Sequence, residues 1–201
     1  MNNEKPLVVA LDFDDVCIDF NTKFAEYNRI KYGTSYEREH IQEFGLSLLL
    51  KCSPEEVLER AREFVLSELH EETLPIDGAV QGISYLHTQG VHMPIVTARD
   101  ELIKLQTLSL VEKHFPGKLK DTHFLHRNNI NVLGEKGEVC KRLCADFLFE
   151  DALHNALHHS MKRTHVLLFD TPWNQTEDLP KHVTRVYGWG HALEIIEKRS
   201  R

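Results

Sequence analysis

No apolar run in this chain of 201 residues approaches membrane-spanning length, so no bilayer helix and no membrane partner are expected. Its first residues, Met-Asn-Asn-Glu-Lys-Pro, lack the basic start and apolar middle of a secretory leader, and a cytoplasmic location is the expectation. The four cysteines, at positions 17, 52, 140 and 144, form no CxxC pair, which favours free thiols over a disulfide frame or a zinc site. Positive charge is in deficit, with 24 Lys and Arg against 31 Asp and Glu and a formal net charge of −7. A broad basic patch is therefore not implied, and a nucleic-acid polymer is not the expected partner. A small phosphorylated substrate remains compatible, because a bound metal ion can supply positive charge locally. Internal repeats and low-complexity tracts are also missing. The thirteen histidines are scattered, neighbours such as His158 and His159 point to different helical faces, and none is assigned as a ligand.

What is present is an ordinary globular composition, 41% apolar and 27% charged, with enough chain for one domain or one domain plus a small insertion. The pattern is organised by Leu7-Val8-Val9-Ala10-Leu11-Asp12-Phe13-Asp14-Asp15-Val16, in which five apolar residues run directly into acids. A short unbroken apolar run reads as a strand buried on both faces of a parallel sheet. Asp12 and Asp14 then stand at its carboxyl end, where open α/β sheets bind ligands. Carboxylates so close together repel unless a cation joins them, so the pattern points to a Mg²⁺ site, with Asp12 also available as a nucleophile. Turn chemistry is the alternative, since Asp side chains also cap turns and helix starts.

From Asp19 onward the spacing becomes helical for some fifty residues. Phe20, Phe24 and Tyr27 recur at helical intervals, Tyr32-Gly33 breaks the run, and Glu39 to Leu50 resumes it. Ser53-Pro54-Glu55-Glu56 is a capping box with Pro at the first helical position, followed by a buried face of Val57, Ala61, Phe64, Val65 and Leu69. Residues 20–74 thus read as a small helical cap inserted after the first strand, with residues 1–19 and 75–201 forming the core.

The remainder alternates strand and helix, as in a doubly wound, mostly parallel five-stranded α/β sheet of Rossmann-like type. Helices are expected over Ala79–His87, residues 100–114 and His191–Lys198. The later strands are Val91–Thr97, Thr122–Leu125, Asp146–Glu150 and Val166–Asp170, with a last short strand around Val183–Tyr187 beyond the five counted in the sheet.

The strand ends carry the chemistry. The second strand ends Ile95-Val96-Thr97-Ala98-Arg99, which puts a hydroxyl and the amides of a helix start at the crevice, where they suit phosphate oxygens. Thr97 has the alternative of simply capping that helix. The fourth strand ends Phe147-Leu148-Phe149-Glu150-Asp151 and supplies Mg²⁺ with another anchor, Asp151 as a direct ligand and Glu150 supporting it from behind. Asp151 has the same capping alternative. A fixed cation near the nucleophile comes from Lys136 or Lys141; the helix before strand four runs antiparallel to it, so its first turn lies at the crevice and favours Lys136.

Asp-x-Asp after the first strand, Thr after the second, Lys ahead of the fourth and an acidic pair ending it resemble the four motifs of the haloacid dehalogenase superfamily over nearly the whole chain. The helical insertion, the Val-Thr-Ala-Arg and Phe-Glu-Asp stretches and the tail Leu-Phe-Asp-Thr-Pro-Trp-Asn-Gln are most similar to its 5′(3′)-deoxyribonucleotidase group. The resemblance implies an aspartyl-phosphate formed on Asp12, and Asp14 as the acid that protonates the leaving alcohol and then activates water. It implies Thr97 and the Ala98 amide on phosphoryl oxygens and Lys136 bridging Asp12 and the phosphoryl group. Mg²⁺ would be held by Asp12, the Asp14 backbone carbonyl and Asp151. Asp15 departs from the family pattern, where Gly is common, and receives no role. The presence of Asp14 argues for phosphomonoester hydrolysis and against carbon–halogen cleavage.

Three functions fit: hydrolysis of nucleoside monophosphates, hydrolysis of a sugar phosphate or another small metabolite, and a phosphoacceptor module of the signalling-receiver kind. The long insertion and the position of Asp-x-Asp on the first strand argue against the module. Tyr27, Tyr32, Phe44, Trp173 and Trp189 have the chemistry to stack on a base, but aromatics at helical spacing are more often core, and none is assigned. A monomer and a homodimer both remain open.

Overall fold

A computed structural model of the chain describes residues 6–34, 36–41, 46–125 and 132–199. Six strands form one parallel sheet: β1 Val9–Leu11, β2 Ile95–Thr97, β3 Thr122–Phe124, β4 Phe147–Glu150, β5 His165–Phe169 and β6 Val183–Val186, in the order 3-2-1-4-5-6. The doubly wound class is as expected, but the sheet has six strands where five were counted. The sixth is the short stretch after the tail motif, which pairs with β5 from Val166↔Val183 to Phe169↔Val186. Only Val183 and Val186 are buried while Thr184 and Arg185 are half-buried, the pattern of an edge strand whose apolar signal is weak. β2 is also shorter than its apolar stretch. Pro94 has no N–H to give to the ladder, so the strand begins after it and only its carbonyl takes part, accepting from Leu11 N.

The period of two in β1 places Val9 and Leu11 in one apolar cluster and Val8 and Ala10 in another, so both faces of the strand are buried. Helices α4 (Ala79–Thr88), α5 (Lys104–His114) and α8 (Trp189–Arg199) contribute to the first cluster, and α6 (Val132–Leu143) and α7 (Leu153–Leu157) to the second. Trp189 belongs to this core and not to a ligand site. Its Nε1 donates to Val16 O at 2.8 Å, its ring lies 5.0 Å from that of Phe149, and Gly82 leaves the space that a Cβ would take from it.

The insertion contains α1 (Phe20–Tyr32), α2 (Leu46–Leu50) and α3 (Pro54–Val65). Asp19 caps α1 by accepting from Thr22 N, and the helix stops at Gly33, whose φ of 67° is the left-handed conformation glycine adopts at low cost. Ser53 accepts from Glu56 N at 3.2 Å, as the capping box requires. Phe24, Tyr27, Tyr36, Leu50, Phe64 and Val65 build a third, separate apolar cluster. Burial of each such side chain is worth about 1.5–3 kcal/mol, and Ile103, from the segment after β2, joins the same cluster. Tyr27 is thereby core, and Tyr32 is covered by the Arg60 guanidinium 3.9 Å from its ring centre; Phe44 lies outside the described residues. Part of the Glu39–Leu50 stretch likewise lies outside them; the described parts are a 3₁₀ turn at Arg38–His40 and α2. The entering and returning segments meet side by side, Asp19 N donating to Leu74 O at 2.9 Å and Ile76 N to Cys17 O at 3.0 Å.

Candidate active site

Register decides which acids meet. β1 and β4 pair with Leu11 opposite Phe149, and Asp12 N donates to Phe149 O at 2.9 Å, so Asp12 and Glu150 come level at the carboxyl end of the sheet. This is also where the strand order reverses, the point at which open α/β sheets form their crevice. Carboxylate oxygens of Asp12, Glu150 and Asp151 all lie within 4.8 Å of one another, and all three residues are buried.

Lys136, on the second turn of α6, enters this cluster with a side chain only 1% exposed. Its Nζ stands 2.8 Å from Asp12 Oδ2 and 2.7 Å from Glu150 Oε2. Lys141, one turn further on, is exposed and faces Glu138 at 3.6 Å. Glu150 is occupied on both oxygens, since Oε1 also accepts from Ala152 N at 3.0 Å and Asn155 Nδ2 at 3.3 Å. It therefore holds Lys136 and the loop in place. Asp151 turns outward, accepting on Oδ2 from Trp173 Nε1 at 2.9 Å, while its carbonyl accepts from Asn174 Nδ2 at 2.7 Å. It does not cap the following helix, whose N-cap is Ala152.

One lysine does not balance three buried acids. Burial holds the Asp12 carboxyl well above the usual range despite the pull of Lys136, and burial together with Glu150 and Asp12 does the same to Asp151. Burial also pushes Glu150 up, but Lys136 outweighs it and the net direction is down. Lys136 itself is held in its charged form: burial opposes the charge, and Asp12 and Glu150 more than reverse that. The donor set of Asp12 and Asp151, both oxygen ligands short of positive charge, suits a hard divalent cation.

Thr97 ends β2 fully buried, and its Oγ1 accepts from Arg99 N at 3.2 Å. The expectation of a helix start here needs correction. Asp100, not Thr97, is the cap, accepting from Leu102 N at 2.9 Å before a 3₁₀ turn at Glu101–Ile103, and α5 begins only at Lys104. The amides beside Thr97 thus belong to a turn that Ala98 and Arg99 present to the cleft. Asp14 also lines that cleft, its carboxylate gripped by Arg99 through Nε at 3.0 Å and Nη2 at 2.8 Å.

Asp15 does have partners. Its φ of 55° is the left-handed conformation that makes Gly natural at this position and that Asp tolerates. The buried carboxylate accepts from Asn21 Nδ2 at 2.7 Å and lies 3.3 Å from Arg38 Nη2. Burial, against the pull of Arg38, pushes it up to about 7. Arg38 continues the line, pairing with Asp19 at 2.8 Å and lying 5.0 Å over the ring of Trp173. Arg99, Arg38, Trp173 and Asn174 are the residues without an assigned role in the sequence. Position was one signal, since Arg99 and the Trp173-Asn174 pair each follow a strand end, and the resemblance of Val-Thr-Ala-Arg and of the tail motif marked the same places without giving these side chains a role.

The cleft measures about 610 Å³. Its floor is Asp12, Asp14 and Asp151, and the insertion supplies a largely apolar wall of Phe20, Phe24, Leu46, Val57 and Ala61, with Arg62 facing Asp100 at 3.2 Å near it.

The fold is shared with haloacid dehalogenase hydrolases. A haloacid dehalogenase-like hydrolase from Streptococcus pneumoniae superimposes with TM-score 0.68 at 10% identity, covering 95% of this chain and 98% of that one. A HAD family hydrolase from Deinococcus radiodurans, solved with bound phosphate and sodium, gives 0.62 at 13% identity and 97% of both chains. A protein described as a predicted phosphatase from Clostridium acetobutylicum gives 0.63 at 12% identity, with 97% and 98% covered. No curated protein matches the chain in sequence. Residues 6–201 match the family described as 5′ nucleotidase, deoxy (pyrimidine), cytosolic type C protein, and the chain belongs to that family, a nucleotidase group among the phosphoric monoester hydrolases of the haloacid dehalogenase superfamily.

Proposed function

We propose that the chain is a Mg²⁺-dependent phosphatase of nucleoside 5′(3′)-monophosphates that works through an aspartyl-phosphate on Asp12. The observation that carries this reading is the buried set in which Lys136 bridges Asp12 and Glu150 with Asp151 alongside. Asp12, Asp151 and the Asp14 carbonyl would hold the metal, and when bound it would supply positive charge to the phosphoryl oxygens. Lys136 orients Asp12 and adds a fixed charge beside it. An Asp12 oxygen attacks phosphorus, the bond to the leaving oxygen breaks, and Asp14 gives that oxygen its proton. Water then attacks the same phosphorus, Asp14 takes the water's proton, and the bond to Asp12 breaks to release phosphate. Thr97 and the Ala98 amide would steady the phosphoryl oxygens.

The apolar wall of the cleft favours a nucleoside over a sugar phosphate. A base offers a flat apolar face to Phe20, Leu46 and Val57, whereas a polyhydroxylated sugar would lose its hydration against them without return. The family's description as cytosolic and the pattern of free thiols support a cytoplasmic location. Rates on nucleoside monophosphates, sugar phosphates and p-nitrophenyl phosphate, with Mg²⁺ and with EDTA, test the reading. Nucleotides are expected to have the highest kcat/KM, with Mg²⁺ required and Asp12→Asn inactive. Faster turnover of sugar phosphates would overturn the substrate class, and turnover by Asp12→Asn would overturn the mechanism.

A further inference from the structure

Arg99 is among the most deeply placed charges in the molecule, its side chain 3% exposed although it borders the cleft. All three guanidinium nitrogens are engaged. Nε and Nη2 hold Asp14 at 3.0 and 2.8 Å, while Nη1 reaches His70 Nε2 at 3.2 Å and Thr107 Oγ1 at 3.1 Å. The rings of Phe13 and Phe20 lie 4.9 and 5.5 Å from the guanidinium carbon. The planar fork is thus fixed by groups on the side away from Asp14. Asp14 is 29% exposed, so its carboxylate meets the cleft at an angle that the fork sets.

We infer that Arg99 is the positioning residue for Asp14, aiming its carboxyl at the leaving oxygen while Thr107 and His70 keep the guanidinium from turning. This rests on the reading of Asp14 as proton donor given above. His70 sits in the 3₁₀ turn Glu68–Glu72, on the segment that returns from the insertion, and Phe20 opens α1 on the segment that enters it. The aim of Asp14 therefore depends on how the insertion is seated on the sheet. A merely structural pair would neutralise Asp14 equally well from any angle, whereas a positioning fork matters only where the proton is needed.

That difference is measurable with the full chain in saturating Mg²⁺, by comparing kcat/KM for a nucleoside 5′-monophosphate and for p-nitrophenyl phosphate. The nucleoside leaves as an alkoxide and requires the proton, while nitrophenolate leaves without it. Asp14→Asn should lower the nucleotide value on the order of 100-fold or more relative to the nitrophenyl value. Arg99→Lys, which keeps the charge and loses the fork, should shift the same ratio in the same direction on the order of tenfold or more. Thr107→Val, which removes one hold on the fork, should shift it less, and it provides the measurement if Arg99→Lys fails to fold in a thermal melt. Equal loss on both esters in the folded variants, beside selective loss in Asp14→Asn, would overturn the positioning role and leave Asp14 as donor. An unselective Asp14→Asn would overturn the donor reading and the role of Arg99 together.

Discussion

Among the described residues Lys136 is the single cation within the set of three buried carboxyls, so Lys136→Met tests the electrostatics of the site most directly. The substitution keeps the length of the side chain and removes the charge that stands 2.8 Å from Asp12 and 2.7 Å from Glu150. Without it the acids lose the attraction that offsets their mutual repulsion, and the chain can recover by protonating one carboxyl, which at pH 7 costs about 4 kcal/mol for a group whose ordinary pKa is about 4. That predicts destabilisation of about 4 kcal/mol, within the range of about 3–5 for removing one partner of a buried pair. The sign with pH follows from linkage. A carboxyl whose folded pKa is raised is favourable below its unfolded pKa, and that advantage is lost as pH rises, so the gap to wild type should narrow to roughly 1.5 kcal/mol at pH 5. Urea unfolding in EDTA at the two pH values, followed by the fluorescence of the buried Trp189, gives both numbers. A loss below about 1 kcal/mol at pH 7, or a gap that does not narrow at pH 5, would refute the assignment of Lys136 as the charge that holds these acids together.

The acids also predict how the metal and protons compete. Asp12 and Asp151 are both raised by burial, so the gain in stability on adding Mg²⁺ should grow from pH 5 to pH 8, reaching about 2.7 kcal/mol at a hundredfold excess over Kd; a pH-independent gain would count against these two as ligands. Trp173→Phe removes the N–H that Asp151 accepts at 2.9 Å and should weaken Mg²⁺ binding roughly tenfold, read as the shift in the Mg²⁺ titration of the melting temperature, with an unchanged titration as the contrary result. Burial and the neighbouring Arg99 push His70 down to about 3, so protonation is excluded from the fold and stability is lost as pH falls below about 6.5, by roughly 1.4 kcal/mol per unit. His70→Gln should flatten that slope between pH 4 and 6.5, and a slope equal to that of wild type would show that another group carries it.

What the sequence disclosed follows a physical line. A strand buried on both faces has to be apolar throughout, so β1 and β4 stand out, and the acids that end them are conspicuous because they break an apolar run. Helix boundaries with a chemical marker, such as Ser53-Pro54 and Gly33, are legible for the same reason. Contacts between distant segments leave no local mark. The bond from Trp173 to Asp151 and that from Arg99 to Asp14 join residues 22 and 85 positions apart, and neither residue departs from what a loop would contain. The edge strand β6 is legible as a short strand but its place in the sheet is not, because half of its residues face away from the core.

Asp15 shows how far local chemistry goes and where it stops. Its φ of 55° is a left-handed turn that Asp tolerates and glycine adopts at low cost, so backbone geometry alone accounts for either residue here. Tolerance does not account for its burial, which is costly for a carboxylate unless partners offset it. Those partners are Asn21, on the first turn of α1, and Arg38, which also lies against Trp173 and hence beside the residue that holds Asp151. Glycine would satisfy the turn and leave Arg38 with Asp19 as its other carboxylate partner. The acid therefore fastens the insertion to the sheet on the Asp151 side of the cleft, as Arg99 does through His70 on the Asp14 side. One ion pair, Arg38 with Asp15, and one hydrogen bond, Arg99 with His70, thus tie the insertion to the sheet, and the second runs on to Asp14, a residue proposed for the chemistry.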